Sequence, residues 1–117
     1  HKLFKRDGFD IYMDIPISFV QATLGDELEV PTIDGSVKYS MPPGTQTGTV
    51  FRLKGKGIQR INSSTRGDQY VKVNVQIPKK ISDKQADLLK KFAEEDGEIV
   101  NGSKKKLGQK IEDFFTK

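Results

Sequence analysis

The chain has 117 residues, of which 34% are hydrophobic, and its 20 lysines and arginines exceed its 16 acidic residues to give a net charge of +4. This length and composition suffice for one modest hydrophobic core. The sequence contains no cysteine, which excludes a disulfide scaffold and a thiolate zinc site. Its apolar runs are far shorter than the roughly 18 residues that a membrane span requires. Because it begins with His1 and lacks a signal peptide, we interpret it as a fragment or processed piece.

The first 78 residues alternate between apolar and polar side chains, as half-buried strands do. Two long strands are predicted, at residues 10–19 and 70–77. Pro16 cannot donate a ladder hydrogen bond, so it predicts that the first strand lies at a sheet edge or bends there. The apolar face of these strands is the predicted core, formed by Ile11, Met13, Ile15, Ile17, Val71, Val73 and Val75.

Shorter strands are predicted at residues 28–30, 37–41 and 50–53. Asp34-Gly35 is typical of a two-residue hairpin turn with positive φ at both central positions. We therefore expect a hairpin that joins residues 28–33 to residues 36–41. Residues 19–23 suit a single helical turn, and residues 59–67 suit a polar surface loop.

At Pro78 the periodicity becomes helical. Ser82 and Gln85 match a capping box, so a helix is predicted over residues 82–95. A second helix is predicted over residues 105–116, where apolar residues follow i, i+4, i+7, i+8 spacing. The chain is accordingly divided into a β domain at residues 1–78 and a helical segment at residues 79–117.

The motifs of common enzymes do not occur in this sequence. Gly55-Lys56-Gly57 lacks the spacing and the following helix of a phosphate-binding loop. His1 is the single imidazole, and clustered carboxylates such as Asp26 and Glu27 are typical of a solvated hairpin. The run at residues 104–106 has three lysines, fewer than a nucleic-acid footprint usually needs. We predict that the chain is not an enzyme and has no membrane partner, and the sequence disfavours nucleic acid as a partner.

Several dispersed motifs resemble, in the same order, a stretch of the DnaJ-type co-chaperones. They are Ile15-Pro16-Ile17, Leu24-Gly25-Asp26, Val30-Pro31-Thr32, Pro43-Gly44-Thr45-Gln46, Phe51-Arg52-Leu53-Lys54-Gly55-Lys56-Gly57 and Gly67-Asp68. The resemblance covers about residues 4–95 and is to the second C-terminal β domain of a bacterial-type DnaJ. It implies a mainly β fold, a small antiparallel two-layer domain followed by one or two C-terminal helices.

The resemblance also implies a role. In this family the β domains hold unfolded or apolar polypeptide clients, the extreme C-terminus forms a homodimer, and the J-domain engages the seventy-kilodalton heat-shock chaperone in the cytoplasm. The His-Pro-Asp signature of the J-domain and the Cys-x-x-Cys units of the zinc module do not occur in this sequence. We therefore expect this chain to bind no zinc or other cofactor and to activate no ATPase by itself.

A client could add to an exposed strand edge through main-chain hydrogen bonds, with apolar pockets for preference. The candidate client site lies on and beside the hairpin strand that ends at Pro42, and consists of Ile33, Val37, Tyr39, Met41 and Phe51. The alternative is that all five are ordinary core residues.

The candidate dimerisation surface combines the apolar faces of the two predicted helices. It consists of Leu88, Leu89, Phe92, Leu107, Ile111, Phe114 and Phe115. The alternatives are that the tail docks onto its own domain or is disordered.

Two other functions of the chain stay open. It could be a structural spacer and dimerisation module without its own client site, or a polyanion-binding β domain whose affinity for its ligand falls steeply with salt.

Overall fold

The structure, a computed structural model, describes residues 4–97, and the chain divides into two compact units, His1–Ile77 and Pro78–Lys117. The described elements are β1 (Lys5–Asp7), β2 (Asp10–Ser18), α1 (Phe19–Leu24), β3 (Asp26–Thr32), β4 (Gly35–Met41), β5 (Val50–Leu53), β6 (Gln69–Gln76) and α2 (Asp83–Glu95). Six strands and two short helices confirm the predicted mainly β class. Within residues 4–97, no helix is long and apolar enough to cross a membrane.

Four strands form one sheet in the order β1-β2-β6-β5. The outer pairs β1–β2 and β5–β6 are antiparallel, whereas the central pair β2–β6 is parallel, a feature that alternation alone does not reveal. β1 reaches along β2 only as far as Tyr12. On that side of Pro16 no strand follows among residues 4–97, so this position is at a sheet edge in the described part of the chain, as its missing N–H predicts.

The inward face of the β2–β6 pair carries the core. Of the seven predicted core residues, five are buried, and Ile15 and Val75 are partly buried against the same cluster. Leu28, Val30 and Met41 from the second sheet complete it. The two sheets thus share one apolar layer, as the predicted two-layer arrangement requires.

The second sheet is the antiparallel hairpin β3–β4, whose register joins Leu28 to Tyr39 and Thr32 to Gly35. The two turn residues are therefore Ile33 and Asp34, one position earlier than predicted. Gly35 has a φ of +109°, but Asp34 does not adopt positive φ. The Thr32 hydroxyl explains the shift, because it accepts from the Asp34 N–H at 3.1 Å and donates to the Gly35 carbonyl.

Both described helices begin with a capping box. In α2 the Ser82 hydroxyl accepts from the Gln85 N–H and the Gln85 side chain accepts from the Ser82 N–H, which confirms that prediction. Ser18 and Gln21 form the same capping box at the start of α1, which has six residues where a single turn over residues 19–23 was predicted. The Ser18-x-x-Gln21 spacing is visible in the sequence, so this helix start could have been found.

Gly57 and Gly67 allow close backbone packing. A Cβ on Gly57 or Gly67 would overlap the Phe9 carbonyl oxygen. The Gly57 N–H donates to the Gly67 carbonyl at 2.9 Å, and the Ile58 N–H donates to the Phe9 carbonyl at 2.8 Å. These positions need glycine because three backbone segments meet here.

Candidate functional site

The five candidate client residues occupy the hairpin β3–β4 and the neighbouring strand β5. Met41 and Phe51 are buried in the core, Val37 and Tyr39 are half-buried against it, and Ile33 in the turn is 47% exposed. Burial therefore divides the set. The apolar surface available to a ligand comes from Ile33, Val37 and Tyr39. Met41 and Phe51 lie in the core and are not available to it.

An aromatic stack connects the hairpin to the four-stranded sheet. The rings of Tyr39 on β4 and Phe51 on β5 are parallel within 1°, with their centroids 3.7 Å apart. Tyr39 shares its face of the hairpin with Leu28, its partner across the strands. Because one ring of the stack is half-buried, the stack forms part of the surface as well as part of the core.

The position of the turn determines which main-chain N–H and C=O groups of the hairpin point outward. In a two-residue loop the closing pair, here Thr32 and Gly35, is a hydrogen-bonded pair, and such pairs alternate along an antiparallel ladder. The main-chain groups of every second residue therefore point away from the partner strand. On β3 these are Glu27, Glu29 and Pro31, and on β4 they are Ser36, Lys38 and Ser40.

The two outer edges of the hairpin differ. On β3, Pro31 has no N–H to offer, and its carbonyl accepts from Gln69 Nε2 at 2.9 Å. On β4, the outward groups of Ser36, Lys38 and Ser40 have no strand beside them within residues 4–97. The β4 edge is thus the side of the hairpin on which another strand can add.

The outer face of the hairpin is polar. Lys38 Nζ lies 3.6 Å from Glu27 Oε1, and both side chains are exposed. An exposed pair of this kind contributes about 0–1 kcal/mol. Alternation therefore separates an apolar inner face from a solvated outer face, with the free edge between them.

At its tip the hairpin is joined to the segment before β6 by an ion pair between Asp34 and Arg66. The hydrogen bond from Arg66 holds the pKa of Asp34 below its ordinary value of 3.8, burial opposes this shift, and the charges of Arg66 and Lys56 add to it. Arg66 Nε and Gln69 Oε1 are both buried without a hydrogen-bond partner in the described part of the chain.

Sequence reasoning missed Arg66 and Gln69. Gln69 is 0% exposed and lies on the same inward face of β6 as Val71 and Val73. A glutamine at the start of an apolar face is a signal of a specific polar contact, because buried amides are normally hydrogen-bonded. Arg66 stands in the polar loop predicted to be exposed, and its sequence context carries no comparable signal.

A second aromatic pair lies on the opposite face of the four-stranded sheet. Tyr12 and Tyr70 are register partners on β2 and β6 and stack with centroids 5.1 Å apart. Burial and then the carboxylates of Asp10 and Asp7 raise the pKa of Tyr12. No described element covers this face, so the stack joins β2 to β6 on the outer surface of the sheet and is not part of the core.

The candidate dimerisation residues are described only in part. Leu88, Leu89 and Phe92 lie on α2 and are exposed, Phe92 to 62%. The other four, Leu107, Ile111, Phe114 and Phe115, lie outside the described residues.

Among residues 4–97, no three His, Cys, Asp or Glu side chains are placed to hold a metal ion.

Comparison with known proteins agrees with the motifs. Residues 1–78 match the family described as DnaJ C terminal domain. The chain is 68% identical to the chaperone protein DnaJ of Clostridioides difficile, covering 100% of this chain and 30% of the relative. It is 55% identical to that of Ruminiclostridium cellulolyticum, covering 98% and 30%. It thus spans less than a third of the length of these relatives, and it belongs to the DnaJ C-terminal domain family.

Proposed function

We propose that this chain is the part of a DnaJ-type co-chaperone that binds unfolded polypeptide clients and joins two protomers. The complete protein would deliver those clients to the seventy-kilodalton heat-shock chaperone. The observation that carries the proposal is the outer edge of β4, which has no strand beside it among residues 4–97 and lies next to half-buried apolar side chains. Binding is non-covalent, and the residues described here have no catalytic part in it.

The edge suits ligands of many sequences. An added strand would exchange main-chain hydrogen bonds with Ser36, Lys38 and Ser40, and these bonds are independent of the client's side chains. Alternate client side chains would then lie beside Val37 and Tyr39, where apolar and aromatic groups bury the most surface. An unfolded polypeptide provides both features, whereas a folded protein hides them.

A titration tests the client site. An unfolded apolar peptide is added to the isotopically labelled chain, and we expect NMR shifts centred on the amides of Ser36, Lys38 and Ser40. Ser40→Pro removes one outward N–H and should weaken binding several-fold, whereas Ser40→Ala keeps that N–H and should bind like the parent. Equal affinities for the two variants would contradict strand addition at this edge.

The proposal assigns dimerisation to the helical segment. Leu88, Leu89 and Phe92 are exposed on α2, and fully burying such a side chain contributes about 1.5–3 kcal/mol. A symmetric dimer would cover this face, together with the apolar stripe predicted over residues 107–115, by a self-complementary surface. Two linked client sites would then hold one unfolded chain at an effective concentration on the order of millimolar.

Sedimentation equilibrium tests the dimer. The intact chain should sediment as a dimer at tens of micromolar, and a chain that ends before Asn101 should sediment as a monomer. Phe92→Ser should weaken the dimer, whereas the neighbouring Lys91→Ser should not. A monomeric mass for the intact chain under these conditions would overturn this part of the proposal.

A structural spacer is the second candidate, because the burial of Met41 and Phe51 fits ordinary core packing. The two experiments separate it from the first candidate. A spacer forms the dimer but shows no peptide-dependent shift on the hairpin.

A further inference from the structure

The chain has three tyrosines, and the fold brings two of them together. Tyr12 on β2 and Tyr70 on β6 are direct register partners, and their rings stack with centroids 5.1 Å apart and planes inclined by 15°. The third tyrosine, Tyr39, stacks instead on Phe51, between the hairpin and β5. Two phenol rings from distant parts of the chain thus lie face to face.

Both rings of this pair are within reach of solvent. Tyr12 is 40% exposed and Tyr70 is half-buried, on the outer face of the four-stranded sheet. The neighbours in the same row are Lys5 on β1 and Arg52 on β5, whose side chains are exposed as well. A small oxidant dissolved in water can therefore reach the phenols, which a pair in the core would not allow.

The stacked geometry suits the coupling of two tyrosyl radicals. In such a radical the unpaired electron is delocalised over the π system and reaches the Cε carbons beside the phenol carbon. A bond between two Cε carbons therefore begins to form along a direction roughly perpendicular to both rings. Nearly parallel rings present their π faces to each other, and two central strands hold them in that arrangement, so their effective concentration is high.

We propose that Tyr12 and Tyr70 are an oxidative modification site, at which one-electron oxidants such as peroxide-derived radicals join the two side chains into an intramolecular dityrosine. Each phenol gives one electron to an oxidant and its proton to water, which leaves two phenoxyl radicals. The two unpaired electrons form the Cε–Cε bond. Each coupled carbon then loses its hydrogen as a proton while the oxygen of the same ring takes one up. The product is lighter by two hydrogen atoms, and two equivalents of oxidant are reduced.

The new bond would tie the two central strands of the sheet to each other. Paired positions on β2 and β6 are 58 residues apart in the chain. A covalent link over this distance restricts the unfolded chain and so stabilises the folded unit, as disulfides do in other proteins. The chain has no cysteine to form a disulfide. This inference goes beyond the proposed client binding and does not depend on it.

Photochemical oxidation of the whole chain tests the site, with a ruthenium(III) complex generated by light and persulfate as the oxidant. The monomer band of a denaturing gel should show the blue fluorescence of dityrosine, and mass spectrometry should link the peptides that contain Tyr12 and Tyr70. Tyr70→Phe keeps a ring but has no phenol, and it should lose most of this fluorescence. Tyr39→Phe is the matched control and should keep it.

The same oxidation in concentrated urea tests the contribution of the fold. The yield of the link in the monomer should fall several-fold, because the unfolded chain no longer holds the two rings together. An equal yield in urea, or equal fluorescence in Tyr70→Phe and the parent, would overturn the proposal.

Chemical denaturation of the purified cross-linked monomer tests the consequence for stability. Its denaturation midpoint should lie above that of the untreated protein, whereas oxidised Tyr70→Phe should show no such rise over untreated Tyr70→Phe. A midpoint that is unchanged or lowered by the cross-link would refute the stabilising link.

Discussion

The four-stranded sheet and the hairpin β3–β4 are held together by different means. The central strands β2 and β6 pair along eight positions and bury Val71 and Val73 completely. Among residues 4–97 the hairpin has no ladder with any other strand, and side chains such as Tyr39 join it to the four-stranded sheet. The sheet is thus held together by main-chain ladders, whereas the hairpin is held to it by side-chain packing, in which Leu28, Val30 and Met41 are buried.

Val73→Asp should have the largest effect, because it places an unpaired carboxylate at the centre of the sheet. We expect a loss of about 3–5 kcal/mol in the free energy of unfolding. Chemical denaturation measures it, with Gln76→Asp at the exposed end of the same strand as the control. A variant that melts within a degree or two of the parent would show that the sheet is not the stable region.

Gly67→Ala tests the packing of the loop against β2. The added methyl would overlap the Phe9 carbonyl, so the backbone must shift at a cost of about 1–3 kcal/mol. Gly8→Ala is the matched control, because it has positive φ but open space around it. If thermal unfolding shows the control to be the more damaging variant, close approach at Gly67 is unimportant.

Gln69→Met tests the polar contact between the sheet and the hairpin. The variant loses the hydrogen bond to the Pro31 carbonyl but also removes the unpaired Oε1, so we expect the free energy of unfolding to change by less than about 1 kcal/mol. Hydrogen exchange of the hairpin amides should nevertheless accelerate. Gln69→Glu, which buries a charge, should be clearly worse in denaturation, and equal stability of the two would contradict the burial of this site.

The smallest effect concerns pH. Because Arg66 lowers the pKa of Asp34, the folded state holds this proton less tightly than the unfolded state. The contribution of Asp34 to stability is therefore complete above its ordinary pKa of 3.8 and is lost as the pH falls through its lowered folded value. The difference in stability between the parent and Asp34→Asn, measured by denaturation from pH 6 to about pH 2, should narrow with acid. A difference that does not depend on pH would argue against the ion pair.

Local patterns predicted the elements well. The alternation of apolar and polar residues located β2 and β6, and the capping pair Ser82 and Gln85 located the start of α2. The parallel pairing of β2 with β6 could not be predicted in this way, because a half-buried strand has the same alternation in either orientation. The turn at Ile33 and Asp34 was misplaced because the Thr32 hydroxyl, rather than the Asp-Gly pair, decides its geometry.

The site was harder to predict than the fold. Alternation grouped Val37, Tyr39 and Met41 on one face correctly, but it carries no information on which of them the other sheet covers. The ion pair of Asp34 with Arg66 joins segments far apart in the chain, so it depends on the tertiary arrangement. The family motifs identified the domain, whereas the difference between the two hairpin edges required the register and the contact of Gln69 with Pro31.

The parallel pairing of β2 and β6 also has a consequence for synthesis on the ribosome. Paired positions of these strands are separated by 58 residues, so β2 leaves the ribosome well before its central partner exists. Until β6 follows, the apolar face of β2 is exposed in the nascent chain, and non-local pairing of this kind closes slowly. A domain proposed to protect other unfolded chains therefore exposes an apolar strand of its own until β6 has been synthesised.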